Sequence, residues 1–534
     1  MLDLLIRNGW VADGTGNPLY PADVAVEGDR IVAVGRLTGA QARRVVDATG
    51  KIVCPGFVDA HSHTDSTILA NPTAESTIRQ GVTTEVVGNC GMSAAPITAA
   101  SRARGGGGIG GVMEAEVGPC SFGEFLDHVG RLGTSINLAW FVGHSTARSV
   151  AGVWGSQVAD DQLRAMESVV REAMEAGALG LSTGLEFEPG RSATTEELVR
   201  LVKVVGEHGG CYSSHIRNRD ALIEPAVEEF LEIVRQSGAR GQISHLNVRH
   251  NTGAPEGAWR RAVETVEQAR QSGLAVLADI TPLTYGIGQM AAILPPWVRE
   301  EGPDRAVRLL RDPAARARLR GECDRYWRFI HRGEWHRVRV QSNPAYPEIN
   351  GRTFPEIASL WGKHPWDCYF DILAAAGSEM DGIVLVALLF REEDVREWVS
   401  HPLLMLAVDG YSTRIDGPLA ERTRFPLHYM GMVHYLTHHV RERRTLRLEE
   451  AIRKMTSMPA THFGLRGRGL VRAGCFADLV VFDFERLDDV ATVERPLAYA
   501  RGVEHVFVNG VPVVSSGEHT GARPGRNLLR DSTV

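Results

Sequence analysis

Residues 52–65 read Ile52-Val-Cys-Pro55-Gly-Phe-Val-Asp-Ala-His61-Ser-His63-Thr-Asp65. The stretch begins as an apolar strand and ends in two histidines two residues apart. Side chains alternate faces along a strand, so His61 and His63 project from the same side. Two imidazoles there can chelate one ion. A His-x-His pair alone is a weak signal, because core and surface histidines account for most such pairs. Placed behind an apolar strand and inside Pro55–Asp65, this one is far more specific. It marks the candidate first strand of a barrel whose site collects at the C-terminal strand ends.

Working outward, the middle of the chain alternates strand and helix patterns. Thr84–Val87 is strand-like. The span 159–176 is helical, with Leu163, Met166, Val169, Val170 and Ala173 at helical spacing, and Leu198–Val205 is a second helix segment. Cys211–His215, Gly241–His245, Leu274–Asp279 and Leu403–Val408 then read as strands. Alternating strands and helices mean parallel β-α-β units, and the length favours a closed (β/α)8 barrel. An open doubly wound sheet is also compatible with the pattern. Both chain ends are strand-rich. Val24–Val26 and Ile31–Val34 flank a turn at Glu27-Gly-Asp-Arg30, and Val506–Val508 and Val511–Val514 flank Asn509-Gly510, two hairpin patterns. The expected architecture is therefore α/β: a TIM-like barrel (55–285 and 348–467), a small β-sandwich module built from both ends (1–54 and 468–534), and an Arg-rich inserted helical subdomain or lid (286–347). The run Gly105–Gly111 is read as a flexible loop, since no Gly-Lys-Ser/Thr follows it.

Composition excludes several classes. The net charge of −7 implies no basic face for nucleic acid. The longest apolar run, Ile383–Phe390, suits a buried strand and is far too short for a membrane span. Seven cysteines, an odd number without a Cys-x-x-Cys, argue against a disulfide framework and for a reducing cytoplasm. The N-terminus, with Asp3, does not read as a signal peptide. A homo-oligomer is compatible with this size.

Further candidate ligands fall at strand ends. Cys90 sits in Gly88-Asn-Cys-Gly91 after Thr84–Val87, a place that suits a thiolate ligand better than a core cysteine. His215 and His245 close two later strands, and Asp409 closes the last. The set is similar to that of the N-acyl-D-amino-acid deacylase (D-aminoacylase) family of the amidohydrolase superfamily. Gly180-Leu-Ser-Thr-Gly-Leu185, Leu294-Pro-Pro-Trp297, Asn343-Pro-Ala-Tyr346, Phe476-Ala-Asp-Leu-Val480 and Gly521-Ala-Arg-Pro-Gly525 extend the resemblance over nearly the whole chain. The resemblance implies a tight Zn2+ site on Cys90, His215 and His245, and a second, weaker position lined by His61 and His63. It also implies Asp409 as general base and acid. Zinc brings hydroxide within reach of neutral pH and polarises a carbonyl.

The chain departs from the family where a substrate carboxylate is read. Phe187 stands in place of a tyrosine and Asn247 in place of a lysine. Phe425-Pro-Leu-His428 is the best match to a His-Pro-Arg stretch. An unpaired buried carboxylate is costly, so the small-molecule substrate is expected to differ on its amine side. Arg217, Arg249 and Arg414 are the nearby candidates to take over those donors, and His250, Tyr285 and His144 are further candidate substrate contacts. For His144 a structural hydrogen bond is an equal reading, and His434 and His438 read as a solvated helix face. Two other readings stand beside amide hydrolysis. One is hydrolysis of a cyclic imide, hydantoin or carbamate on the same metals. The other, disfavoured by the intact ligand set, is a non-catalytic binding homologue.

Overall fold

Eight strands build the parallel sheet that carries the site: β1 (Phe57–Asp59), β2 (Val82–Val87), β3 (Asn137–Gly143), β4 (Gly180–Gly184), β5 (Cys211–His215), β6 (Arg240–Ile243), β7 (Val276–Ile280) and β8 (Leu404–Leu406). Strand order in the sheet follows chain order throughout. A doubly wound sheet would reverse direction midway. Here the ends meet instead: Ser62 and Gly410 form a parallel bridge, and the Asp409 amide donates to the His61 carbonyl at 2.9 Å. The fold is a (β/α)8 barrel, and the seam that closes it passes through His61 and Asp409. This is a computed structural model of the chain, and it describes residues 1–99, 101, 117–299, 302–322, 327–343 and 345–530. The loop at 105–111 and Cys323 lie outside the described residues.

The strands form because parallel strands are covered on both faces and so demand near-continuous apolar sequence. Every residue of β3, Asn-Leu-Ala-Trp-Phe-Val-Gly, is buried. The helices between strands bury one stripe. In Asp160–Glu175 this is Met166, Val170, Ala173 and Met174, with Asp160 and Asp161 favourably placed at the N-terminus. No helix among the described residues is long and apolar enough to cross a membrane.

Both chain ends meet as expected: their strands are hydrogen-bonded into one nine-stranded set, and N-terminal Val24 and Val26 share a buried core with C-terminal Leu479, Val481 and Phe507. Ile52–Pro55 lies between Leu2–Val11 and Leu479–Phe482 and so stitches the N-terminal strands to the C-terminal ones. Both hairpins form, and Asn509 and Gly510 adopt the positive φ that a two-residue turn of this kind requires. The last described residues leave this sheet. The Leu138 amide donates to the Arg526 carbonyl (3.0 Å), the Leu528 amide donates back to Leu138 (2.7 Å), and the Arg530 amide reaches the Gly177 carbonyl. The tail therefore belongs with the barrel, a correction to the expected module 468–534.

The excursion between β7 and β8 is larger than 286–347. It contains an antiparallel three-stranded sheet in which Val384–Leu388 lies between Tyr285–Gln289 and Val338–Ser342. The apolar run Ile383–Phe390 is thus the central strand of a small sheet. A strand covered on both edges and packed is as apolar as a barrel strand, which is why its sequence does not separate the two. The helices Phe354–Trp361 and Pro365–Ala376, expected with the barrel, share the excursion's aromatic core: Trp335 lies 4.8 Å from Phe354 and 4.9 Å from Trp366 between ring centroids. The excursion departs from the site end of the barrel, where the His250 amide donates to the Leu389 carbonyl at 2.7 Å.

Candidate metal centre

The strand C-termini bring the six expected residues to one place. Cys90 Sγ lies 3.3 Å from His61 Nε2, 3.5 Å from His245 Nε2 and 3.6 Å from His215 Nδ1. Asp409 Oδ1 is 3.2 Å from His63 Nε2 and 3.4 Å from His61 Nε2, and Oδ2 is 3.9 Å from His245 Nε2. Ligand atoms of His61, Cys90, His245 and Asp409 all fall within 4.8 Å of one another. A soft thiolate, imidazoles and a carboxylate at this spacing are the donor set that suits zinc, so the residues present fit the ion that the resemblance implies.

The backbone is bent to make this happen. Cys90, His245 and Asp409 have φ of 52°, 35° and 51°, left-handed conformations that cost non-glycine residues of order 1–3 kcal/mol each. Three such residues, each just past a barrel strand, aim their side chains into the mouth. Glycines make room. A Cβ on Gly88 would lie 2.2 Å from the Phe141 carbonyl oxygen, and one on Gly91 would lie 2.7 Å from the Gly184 nitrogen.

Buried carboxylates, not foreseen in the sequence, orient the imidazoles. His215 Nε2 is 2.6 Å from Glu186 Oε2, and His61 Nδ1 is 3.4 Å from Asp279 Oδ2. Asp279 also accepts from the His245 amide at 2.8 Å. Partners of this kind fix which ring nitrogen faces an ion. Both carboxylates lie at or just past strand ends, β4 and β7, the one sequence signal that could have found them. Arg219, also unforeseen, sits against the centre: Nη1 is 2.7 Å from His245 Nδ1 and Nη2 is 3.2 Å from Glu186.

Charge follows from this packing. Burial acts to raise the Cys90 thiol, but His61 and hydrogen bonds from His215 and His245 prevail and hold it well below the usual range, as a thiolate. Burial likewise opposes ionisation of Asp409, yet His61, His245 and His63 keep it a carboxylate below its ordinary value. Burial and then the Arg219 guanidinium push His245 down to about 4, so it is a neutral donor.

The expected substrate residues are placed unevenly. Phe187 sets its ring edge against His215, with centroids 5.1 Å apart. Asn247 is buried and accepts from Arg219 at 3.3 Å. Arg217 is a correction: its guanidinium is committed to Glu229 and to the carbonyls of Arg191 and Ala193. Arg249 is buried and paired with Glu186 and Asp220, which makes it part of the scaffold. His144 is buried 2.7 Å from Glu197, which also binds Arg148, so the structural reading prevails. His250 is exposed, and only its backbone docks the excursion. Tyr285 is half-buried at the start of an excursion strand. Arg414 is exposed and pairs with Asp416.

A (β/α)8 barrel whose strand ends gather a thiolate, four imidazoles and an aspartate defines an amidohydrolase. Residues 44–210 and 393–514 match the amidohydrolase family model, and the chain belongs to that family. Within it the chain falls in the D-aminoacylase branch. It is 33% identical to an N-acyl-D-glutamate deacylase of Alcaligenes xylosoxydans xylosoxydans, over 100% of this chain and 98% of the other. The crystal structure of a D-aminoacylase superposes with a TM-score of 0.82 at 31% identity, covering 99% of this chain and 100% of that one. An N-acyl-D-glutamate deacylase from Bordetella bronchiseptica, solved with zinc and a phosphonate mimic of the tetrahedral intermediate, gives 0.79 at 31% identity, covering 99% of each.

Proposed function

We propose that this chain is a zinc-dependent hydrolase that cleaves the amide C–N bond of an N-acyl compound, with altered recognition of the amine side. The observation that carries the proposal is the convergence of His61, Cys90, His245 and Asp409 within 4.8 Å at the closing seam of the barrel. Cys90, His215 and His245 would hold a tightly bound ion and leave a position open, and His61 and His63 would line a second, weaker one. An ion so held supplies Lewis acidity, which makes hydroxide available near neutral pH and polarises the acyl carbonyl. Asp409 accepts the proton of the attacking water on a carboxylate oxygen and returns it to the departing nitrogen, which leaves as an amine. His63, 3.2 Å from Asp409, orients that carboxylate. Glu186 and Asp279 hold His215 and His61 in the required tautomers.

Substrate choice rests on what surrounds the centre. Phe187 offers no hydroxyl, Asn247 is spent on Arg219, and Arg217 and Arg249 are paired to carboxylates. A free carboxylate on the amine side would meet few donors, so the favoured substrate has a neutral, esterified, amidated or aromatic group there. The excursion, which departs beside His250, would wall the pocket. Among the described residues none of the four lysines, Lys51, Lys203, Lys363 and Lys454, contacts the centre, which disfavours the cyclic-amide branch that needs a carbamylated lysine bridge. Cys54, Cys90, Cys211, Cys368 and Cys475 form no disulfide, which supports a reducing, cytoplasmic setting.

The test is steady-state kinetics on N-acetyl-D-amino acids beside the matching amides, with wild type and Asp409→Asn. Amine release from the amides by wild type alone is expected. Efficient turnover of free acids at ordinary KM would sink the altered recognition, and an active Asp409→Asn would sink the role of Asp409.

A further inference from the structure

Away from the centre, a second group of histidines meets on the helix that follows β8. That helix starts as an α-helix over Leu427–His434 and continues as a π-helical turn over Tyr435–Glu442. In an α-helix residue i+4 comes back over residue i, and i+5 points elsewhere. The i→i+5 bonding of a π-turn adds a residue per turn and brings i+5 to the same side, a distortion frequent at functional sites. Here it gathers His434, His438 and His439, so the first two do not form a solvated helix face. A ring nitrogen from each lies within 4.8 Å of the others. The His434 and His438 rings stack with centroids 4.9 Å apart, and His439 stands edge-on, 4.8 Å from His438.

Each ring has one nitrogen held by a group outside the helix, and the second nitrogen of His438, Nδ1, also faces Glu442 Oε2 on the same helix at 3.6 Å. His434 Nδ1 is 2.5 Å from Asp489 Oδ2, His438 Nε2 is 2.5 Å from Glu392 Oε1, and His439 Nε2 is 2.8 Å from the Pro282 carbonyl. Metal-binding histidines place their second nitrogen on a carboxylate or carbonyl in this way. A carbonyl only accepts, so His439 Nε2 carries the proton and Nδ1 carries a lone pair. His439 is 1% exposed, and that Nδ1 has no hydrogen-bond partner. An orphaned buried acceptor is rare and costly in a native protein. The His434 and His438 side chains are 14% and 20% exposed, which leaves a route in from solvent.

We propose that His434, His438 and His439 form a binding site for a divalent transition-metal ion, distinct from the Cys90 centre. Three imidazoles suit Zn2+, Co2+, Ni2+ or Cu2+ rather than Mg2+ or Ca2+. The role is structural. The ion ties the last barrel helix, through the outer partners of its ligands, to three other segments: the loop after β7 at Pro282, the helix Glu392–Ser400, and the C-terminal stretch at Asp489.

The experiment equilibrates the full chain with Co2+ and measures bound metal and visible absorption for three proteins: wild type, His434→Gln/His438→Gln, and Cys90→Ser. The double variant is expected to bind one ion per chain fewer than wild type while keeping a thiolate-to-cobalt band and amide hydrolysis. Cys90→Ser is expected to lose that band and retain an ion with a nitrogen-ligand spectrum. Equal stoichiometry in wild type and a folded double variant overturns the proposal. If the double variant does not fold, a Cys90→Ser protein that binds no cobalt overturns it equally.

Discussion

Glu186 is the residue whose replacement tests the electrostatic design of the centre most sharply. Its buried carboxylate lies 2.6 Å from His215 Nε2, 3.2 Å from Arg219 Nη2 and 3.0 Å from Arg249 Nη1, and it also takes Arg249 Nη2. Glu186→Gln keeps the volume, removes one charge and replaces an acceptor oxygen by an amide group that faces guanidinium. Asp220, on Arg249 at 2.8 Å, is then the one carboxylate left for two buried cations in this cluster. Breaking a buried pair from one side costs about 3–5 kcal/mol. Losing the outer partner of a ligating histidine costs roughly 10–100-fold in metal affinity. Urea unfolding of the metal-free protein reads the first effect, and chelator competition for zinc reads the second. Burial acts to raise this carboxyl, but Arg249, Arg219 and His215 hold it well below its usual range. A depressed carboxylate stabilises the fold above its unfolded value, near ~4.3, and loses that contribution as pH falls. The gap between wild type and variant is therefore full at neutral pH and narrows on acidification below that value. A variant within about 1 kcal/mol of wild type at neutral pH, with unchanged zinc affinity, would refute the reasoning, since stated costs of this kind leave no room for so small an effect.

Three other outcomes follow from the same geometry. Gly91→Ala puts a Cβ 2.7 Å from the Gly184 nitrogen at a φ of +75°, beside Cys90; it should destabilise by about 1–3 kcal/mol and weaken zinc binding, and an unperturbed protein by denaturation and metal analysis would contradict it. Lys454 is buried against the His401 carbonyl, and burial pushes it down to about 7. Its folded value lies below its unfolded one, so the unfolded chain binds more protons between them and stability rises with pH from about 7 towards about 10; Lys454→Met should flatten that slope in unfolding measured across this range. Phe187→Tyr restores a hydroxyl beside His215, and a hydrogen bond to a charged group contributes about 1.5–3 kcal/mol. The KM for free N-acyl amino acids should fall roughly 10-fold relative to the amides, and an unchanged ratio would show that Phe187 does not face the amine side.

What the sequence exposes is governed by burial. Barrel strands such as Leu404–Leu406 are buried throughout, so their apolar composition and the polar residues that follow them stand out. The metal-site residues were legible because each one closes a strand. The left-handed backbone at Cys90, His245 and Asp409 was not, since no residue type there advertises it. The sequence does not mark how far the excursion runs beyond 347, because Val384–Leu388, central in its own sheet, has the composition of a barrel strand. Glu186 and Asp279 carry no such signal, because a carboxylate near a strand end looks solvent-facing until the imidazoles opposite it are placed. Arg217 and Arg249 looked available for substrate for the same reason. Their partners, Glu229, Glu186 and Asp220, come from other segments of the chain, and pairing across such distances leaves no local pattern.

The central claim is that hydrolysis depends on an ion held by Cys90 and its neighbouring histidines. The most direct test adds Zn2+ to the metal-stripped protein and follows amine release from an N-acyl amide, in wild type and in Cys90→Ser. The account predicts no release without metal, recovery of wild type as zinc is added, and a Cys90→Ser protein that stays inactive at the same zinc concentration. Release by the metal-stripped protein, or by Cys90→Ser at the wild-type rate, would contradict it.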